Sequence, residues 1–188
     1  MNYRQFAIRV ISIFAFLVLL HKNVLSQNIS KNRVIMLTDI EADPDDSQTM
    51  IRLLLYSNVI DIKGLIATTS VHQKTNVYPG SINRIIRAYG KVQANLNKHE
   101  KGYPTAENLL QLVRSGLPEY GMNGVGNGKD SPGSEWIIKI LEQNNDRPLW
   151  VCVWGGPNTL AQALFKLKKT KTAGELSRLI KKLRVYTI

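Results

Sequence analysis

Cysteine is nearly absent from this chain. Cys152 is the single cysteine in 188 residues, so an intramolecular disulfide is excluded. Stability must come from an ordinary hydrophobic core, and the length is sufficient to bury one. Because Cys152 lies in the apolar run from Leu149 to Trp154, we interpret it as a small buried side chain and not as a catalytic thiol.

Aromatic residues are missing where the positive charge is dense. The formal net charge is +11, and much of the excess lies between Phe165 and Tyr186, a stretch with no aromatic residue. Nucleic-acid surfaces interleave aromatic with basic side chains. The pattern therefore predicts solvated outer faces of helices and no nucleic-acid partner.

A long apolar run occurs only near the N-terminus, from Phe6 to Leu20, with Arg4 and Arg9 as its basic residues. This predicts a signal peptide over residues 1–26 and a mature domain over residues 27–188. The run is too short, and too soon followed by polar residues, to predict a membrane span. We therefore expect a secreted or periplasmic protein with no membrane contact after cleavage, with an uncleaved anchor as the alternative.

The most unusual stretch follows the apolar residues Val34 to Leu37. Residues 39–46, named here the acidic turn, contain five acidic side chains: Asp39, Glu41, Asp43, Asp45 and Asp46. Carboxylates this close together, if withdrawn from water, are tolerated only when protonated, hydrogen-bonded or neutralised by a cation. The leading hypothesis is a hard-cation site at the end of a buried strand. The alternative is a solvated acidic loop that caps the following helix through Asp45, Asp46 or Ser47.

The periodicity of apolar residues predicts alternating strands and helices. Strands are predicted at 33–38, 60–69, 149–154 and from 184 onward, and helices at 48–56, 79–89, 106–113, 136–141, 158–167 and 173–183. Gly90 is expected to end the second helix. The pattern predicts a single α/β domain with an open, mostly parallel sheet and helices on both faces. Since parallel strands end at the same edge, the acidic turn, residues 68–73 and the segment after Trp154 should face one cleft.

Several motifs resemble a known family. Thr38-Asp39-Ile40, Asp43-Pro44-Asp45-Asp46, the run from Gly64 to Ser70 and the run from Trp154 to Ala161 resemble the inosine-uridine nucleoside hydrolases. They match more closely the nucleoside-hydrolase-like domain of a family of cellulose-binding proteins. Glu41 stands where the pattern of that domain has glycine.

The resemblance implies a Ca²⁺ site and roles for individual residues. Asp39, Asp46 and the carbonyl of Trp154 would hold the metal, and Glu41 and Asp43 would supply the catalytic carboxylate. The implied contacts with substrate come from four residues: Asp45, His72, Gln73 and Asn158. A phosphatase using two acids after the first strand is a weaker alternative, because that chemistry needs Asp where Glu41 stands.

The function implied by the resemblance is hydrolysis of an N-glycosidic or glycosidic bond in a nucleoside or carbohydrate. A non-catalytic carbohydrate-binding (cellulose-binding) module on the same fold is the alternative. Nucleoside hydrolases take a further metal-binding Asp and a His from beyond the point that matches Ile188, so we expect a truncated domain and leave its enzymatic activity open. A homo-oligomer is also left open.

Overall fold

Five parallel strands form the central sheet of the computed structural model, which describes residues 30–188. The strands are β1 (Asn32–Thr38), β2 (Ile60–Ala67), β3 (Val113–Ser115), β4 (Leu149–Val153) and β5 (Leu183–Thr187). Their order across the sheet is β3-β2-β1-β4-β5, and every neighbouring pair is parallel. The predicted α/β fold with an open parallel sheet is confirmed.

Six helices connect these strands. They are α1 (Pro44–Leu55), α2 (Pro79–His99), α3 (Ala106–Leu110), α4 (Pro132–Glu142), α5 (Asn158–Thr170) and α6 (Ala173–Lys182), with a 3₁₀ turn at Gly121–Gly124. Residues 31–188 form one compact unit. The predicted signal peptide, residues 1–26, lies outside the described residues. In the described part of the chain, no helix is both long and apolar enough to cross a membrane.

The sheet separates two hydrophobic cores, because alternate side chains of each strand point to opposite faces. On one face, α4, α5 and α6 pack on Ile35, Leu37, Ile66, Val151 and Val153. On the other face, α1, α2 and α3 pack on Val34, Met36, Ile62 and Leu65. Helices on both faces were predicted, and both layers are present.

Helix α2 does not end at Gly90, as predicted, but continues to His99. A Cβ on Gly90 would lie 2.9 Å from the Cβ of Ala106 at the start of α3. Gly90 therefore allows α3 to approach α2 closely without interrupting α2. Its role is in tertiary packing, which a sequence pattern for helix ends cannot reveal.

Other boundaries also differ from the prediction, and α4, for example, begins at Pro132 instead of 136. Helix α1 begins at Pro44, four residues before the predicted start, because Asp43 has extended backbone and Pro44 suits the first helical turn. The helix predicted over 106–113 is present as α3 but ends at Leu110, and strand β3, which was not predicted, begins at Val113. With three residues it is too short to show an alternating pattern, and it forms by pairing with β2.

Strand β2 contains a bulge at Lys63. Val34 of β1 pairs with Ile62, whereas Ile35 pairs with Gly64, so β2 has one extra residue at this point. The carbonyl of Lys63 accepts a hydrogen bond of 2.6 Å from the Trp136 side chain, which secures the bulge to α4.

Candidate functional site

The acidic turn is a tight reversal at the end of β1. The backbone N–H of Ala42 donates to the carbonyl of Asp39 at 2.9 Å, and that of Ile40 donates to the hydroxyl of Thr38 at 3.1 Å. Glu41, inside this reversal, has a φ of +83°, in the left-handed region that favours glycine. This backbone conformation gives a physical reason for the glycine that the related pattern carries at this position.

Two of the five acids are buried together. Asp39 and Asp46 are only 7% and 8% exposed, and their side chains lie within hydrogen-bonding reach of each other. The hydroxyl of Thr38 donates to Asp46 Oδ2. Among residues 30–188, no lysine, arginine or histidine forms an ion pair with either carboxylate.

This environment raises the pKa of Asp46 from 3.8 to about 6. Burial is the largest cause, and the nearby charges of Asp39 and Asp45 act in the same direction. The hydrogen bond from Thr38 opposes the shift by stabilising the ionised carboxylate. The acidic turn therefore holds buried negative charge for which this part of the chain provides no countercharge.

The other three acids are exposed and lie outside this buried pair. Glu41 Oε1 accepts a hydrogen bond of 2.7 Å from Arg84 of α2, in an ion pair exposed to solvent. Asp43 is the exposed N-cap residue of α1, but its side chain makes no capping hydrogen bond. Asp45 is exposed and accepts from the backbone N–H of Asp46 at 2.8 Å. The two predicted catalytic carboxylates, Glu41 and Asp43, are therefore not part of the buried pair. The alternative of capping by Asp45, Asp46 or Ser47 is wrong, because all three residues lie inside α1.

The end of β4 lies against the acidic turn. The backbone N–H groups of Trp154 and Gly155 donate to the carbonyl of Leu37 at 2.8 and 3.3 Å. A Cβ on Gly155 would lie 2.9 Å from the backbone N and the Cβ of Asp39. Glycine is thus required for this close approach, which brings Trp154, the predicted carbonyl ligand, next to Asp39.

Asn158 lies beneath the cleft. Its amide oxygen accepts from the hydroxyls of Thr68 and Thr69 at 3.3 Å, and its amide nitrogen donates to the carbonyl of Glu119 at 3.1 Å. The residue is buried, so its side chain connects α5 to the end of β2. The predicted contact of Asn158 with substrate does not fit this internal position.

His72 and Gln73 lie at the margin of the cleft. The backbone N–H of His72 donates to the hydroxyl of Ser70, and its imidazole is exposed. The side chain of Gln73 donates to the carbonyls of Asp39 and Ile40 at 3.4 Å each. The side chain of Gln73 therefore contacts the backbone of the acidic turn.

A cavity of about 240 Å³ opens beside Asp39. Its lining comes from the ends of four strands and one loop: Asp39, Ser70, Val71, His72, Tyr120, Trp154, Gly155, Gly156, Pro157 and Ile188. Tyr120 was missed in the sequence because it lies in a glycine-rich segment without apolar periodicity. The fold of this loop places Tyr120 at the cavity.

The cavity lies where the strand order reverses direction. From β1, the chain adds β2 and β3 on one side of the sheet and then β4 and β5 on the other. Ligands of open α/β sheets bind in the crevice at such a switch point, outside the carboxyl ends of the strands. Asp39 follows β1 and Trp154 follows β4, so both lie at this crevice.

The donor set is compatible with Ca²⁺ in chemical type. Ca²⁺ takes oxygen ligands from carboxylates, backbone carbonyls and water. Asp39 and Asp46 provide two buried carboxylates without countercharge, and the carbonyl of Trp154 accepts no hydrogen bond from residues 30–188. No group of three or more His, Cys, Asp or Glu side chains suited to a metal occurs within this range, so water and ligand hydroxyls would complete the coordination.

Comparison with known proteins gives two matches. Residues 33–188 match the family model described as cellulose-binding Sde182, nucleoside hydrolase-like domain. The chain is also similar to the solved structure of a nucleoside hydrolase-related hypothetical protein from Saccharophagus degradans that is associated with carbohydrate metabolism, at 42% identity and a TM-score of 0.82. The match covers 84% of this chain and 38% of that protein, so this chain spans well under half of that relative. No curated protein matched.

Proposed function

We propose that this chain, which belongs to the family of the nucleoside hydrolase-like domain of cellulose-binding Sde182, binds a carbohydrate and Ca²⁺ at the acidic turn. Membership in this family confirms the resemblance found in the sequence. The observation that carries the proposal is the buried pair of Asp39 and Asp46 at the switch point of the sheet, without a cationic partner in residues 30–188. A bound cation would neutralise this charge, and the adjoining cavity has room for a sugar ring.

Asp39, Asp46 and the carbonyl of Trp154 would hold the metal. Bound Ca²⁺ supplies positive charge that attracts sugar hydroxyls and makes a coordinated water easier to deprotonate. Asp45, exposed at the start of α1, accepts a hydrogen bond from the N–H of Asp46 and would also accept hydrogen bonds from the hydroxyls of the sugar. His72 and Gln73 would contact the sugar from the opposite margin of the cleft.

Hydrolysis of the bound carbohydrate would make this chain an enzyme. The second candidate function is a non-catalytic carbohydrate-binding module. It is favoured by the position of Glu41, whose carboxylate is drawn to Arg84 and away from the buried pair. Hydrolysis of an N-glycosidic or glycosidic bond would instead need Asp43 or Glu41 to accept a proton from the attacking water. Nucleoside and aryl-glycoside cleavage, measured with and without Ca²⁺, separates these two functions.

The metal site is tested by calorimetric titration of Ca²⁺ into the protein. We expect Asp39→Asn and Asp46→Asn each to weaken Ca²⁺ binding by about tenfold or more, since each removes one charged ligand. Asp146→Asn is the matched control, because Asp146 is exposed and precedes β4 at the opposite edge of the sheet. Unchanged affinity in the Asp39→Asn, Asp46→Asn double variant would disprove the site.

We also propose that the protein is exported to the periplasm or the medium. The support is the basic and then apolar pattern of residues 1–26. N-terminal sequencing of protein recovered from the secreted fraction should give a start near residue 27. A start at Met1 in the cell fraction would contradict export.

A further inference from the structure

An apolar groove of about 230 Å³ lies between α1 and α2. Its floor includes Leu54 and Tyr89, which are buried, and its mouth is formed by Ile51, Ala88 and Val92 together with Leu55. A cavity of about 150 Å³ is sufficient for a benzene ring. The groove therefore has room for a large apolar side chain of a second molecule.

The side chains at the mouth of the groove are not needed for the core. Helices α1 and α2 pack on the sheet through other residues, such as Met50 and Ile86. Ile51 is 50%, Leu55 is 42% and Val92 is 45% exposed, although polar residues are expected on the outer side of a surface helix. Neighbouring apolar side chains that remain exposed mark sites of interaction.

The groove lies on the side of the sheet away from β5. Helix α1 connects β1 to β2, and α2 follows β2, whereas the strand order places β4 and β5 on the other side of β1. The groove also shares no lining residue with the cavity beside Asp39. It is therefore a separate surface from the candidate metal and carbohydrate site.

The charged residues that flank the groove are all basic. Arg52 lies three residues before Leu55, and Arg84 and Lys91 lie four before and three after Ala88, so helix geometry places all three beside the groove. The two helices contain no acidic residue beyond the first turn of α1. Within the described part of the chain, Arg52 and Lys91 form no ion pair. The groove thus combines an apolar floor with basic margins.

This combination favours one of three kinds of occupant. A second copy of the chain, related by a two-fold axis, would bring the same basic residues face to face. A bilayer surface is flat and does not reach the floor of a concave groove. An amphipathic helix, in contrast, places its apolar side chains into such a groove, and acidic residues along it would complement the basic margins.

We propose that the groove between α1 and α2 binds an acidic amphipathic helix of a partner protein. The apolar face of that helix enters the groove, and its Asp or Glu side chains pair with Arg52, Arg84 and Lys91. This interaction goes beyond the function proposed above and does not depend on it.

Fluorescence anisotropy with a labelled model peptide tests the proposal on the full chain. The probe is a helical peptide of about 18 residues with leucine along one face and glutamate among the other residues. One control peptide has lysine in place of each glutamate, and another has the same composition with the leucines scrambled. We expect a Kd in the micromolar range for the probe and binding at least about tenfold weaker for both controls.

An apolar variant locates the site. Ile51→Glu should weaken binding of the probe by about tenfold or more, because it places a negative charge at the mouth of the groove. Ile180→Glu is the matched control and should bind as wild type does, since Ile180 is an equally exposed isoleucine on α6, which packs on the opposite face of the sheet. Circular dichroism verifies that each variant is folded.

A charge variant tests the basic margins. The Arg52→Glu, Lys91→Glu double variant should also weaken binding of the probe by about tenfold or more. The Lys168→Glu, Lys181→Glu double variant changes the net charge by the same amount on α5 and α6, where both lysines are exposed, and should retain binding. Equal loss in the two double variants would show that net charge alone attracts the probe, and would overturn the proposal.

Other outcomes would also overturn it. These are equal binding of the lysine peptide, unchanged binding in Ile51→Glu, and absence of binding by the probe. Cosedimentation with phosphatidylglycerol vesicles that Ile51→Glu abolishes would identify a lipid surface as the occupant. A wild-type dimer that Ile51→Glu converts to a monomer would identify a second copy. The affinity for Ca²⁺ should be the same in Ile51→Glu as in wild type, so failure of either proposal leaves the other standing.

Discussion

Two opposing effects act on the ionisation of the Asp46 side chain. Burial and the neighbouring charge of Asp39 disfavour its ionised form, while the Thr38 hydroxyl stabilises it. The raised pKa of about 6 is the result, and it makes the stability of the protein depend on pH when no cation is bound.

The first prediction concerns this dependence in the presence of a chelator. Well below pH 3.8 the Asp46 carboxyl is protonated in both the folded and unfolded states, whereas well above pH 6 it is ionised in both. Because the folded state holds the proton more tightly, the free energy of unfolding should fall as pH rises between these values, by on the order of 3 kcal/mol. Asp46→Asn should remove most of this fall, as measured by urea unfolding at intervals from pH 4 to 7.

Asp146→Asn serves as the control for this series, since it removes an exposed carboxylate at the other edge of the sheet. The control should keep the wild-type slope. An Asp46→Asn variant with the same slope as wild type would show that another group causes the pH dependence.

Glu41 gives a second prediction at the scale of the residue. Its φ of +83° strains any side chain, and its ion pair with Arg84 is exposed and contributes little. Glu41→Gly should therefore be more stable than Glu41→Ala by about 1 kcal/mol in urea unfolding, because only glycine relieves the strain. Equal stability of the two variants would contradict strain at this position.

At the scale of the secondary-structure elements, glycine has different roles that sequence patterns do not distinguish. Gly80 and Gly90 both lie in α2, yet a Cβ would meet nothing within 4 Å at Gly80 and would meet Ala106 at Gly90. The difference comes from the position of α3, which packs on α2 after the chain has folded back.

The third prediction follows from this pair of glycines. Gly90→Ala should destabilise the protein by about 1–3 kcal/mol in thermal or urea unfolding, despite the better helix propensity of alanine, because the methyl group clashes with Ala106. Gly80→Ala should instead stabilise it by about 0.5–1 kcal/mol. Restoration of stability in the Gly90→Ala, Ala106→Gly double variant would verify the contact.

The elements that could be predicted from sequence are those with strong local patterns. β1, β2 and β4 are apolar runs ended by turn residues, so both their existence and their common edge were evident, and with them the acidic turn. The length of α2 and the existence of β3 depend on partners far along the chain, Ala106 and β2 respectively. Likewise, the acidic residues were evident, but the pairing of Glu41 with Arg84 requires the position of α2.

At the scale of the whole molecule, charges are sorted to opposite edges of the sheet. The buried carboxylates lie at the carboxyl edge, and a buried cation, Arg33, lies near the amino edge at the start of β1. Arg33 donates to the carbonyls of Ile140 and Arg147 and to the side chain of Gln143, at and just beyond the end of α4. Burial, followed by the nearby charge of Arg147, lowers the pKa of Arg33, and the carbonyl end of the helix offsets part of this cost.

The fourth prediction tests this arrangement. Arg33→Lys should destabilise the protein by about 2 kcal/mol, because lysine cannot reach the same set of acceptors with its compact ammonium group. Arg87→Lys, an exposed change on α2, should stay within about 0.5 kcal/mol of wild type. Calorimetric Ca²⁺ affinity should be unchanged in both variants, and a loss in Arg33→Lys would show that the two edges are coupled.

The bulge at Lys63 determines where the length of β2 can change. Before the bulge, Ile62 faces α2, and after it, Leu65 faces α2 while Ile66 faces α4. Deleting Lys63 would therefore leave the pairs and faces of all later residues of β2 unchanged and would remove only the hydrogen bond from Trp136, whereas an insertion elsewhere in β2 would exchange those faces and turn Thr68 and Thr69 away from their present partners. Homologous chains should therefore tolerate the loss of one residue at the bulge but no single-residue insertion elsewhere in β2, although insertions are ordinarily accepted in the loops on either side.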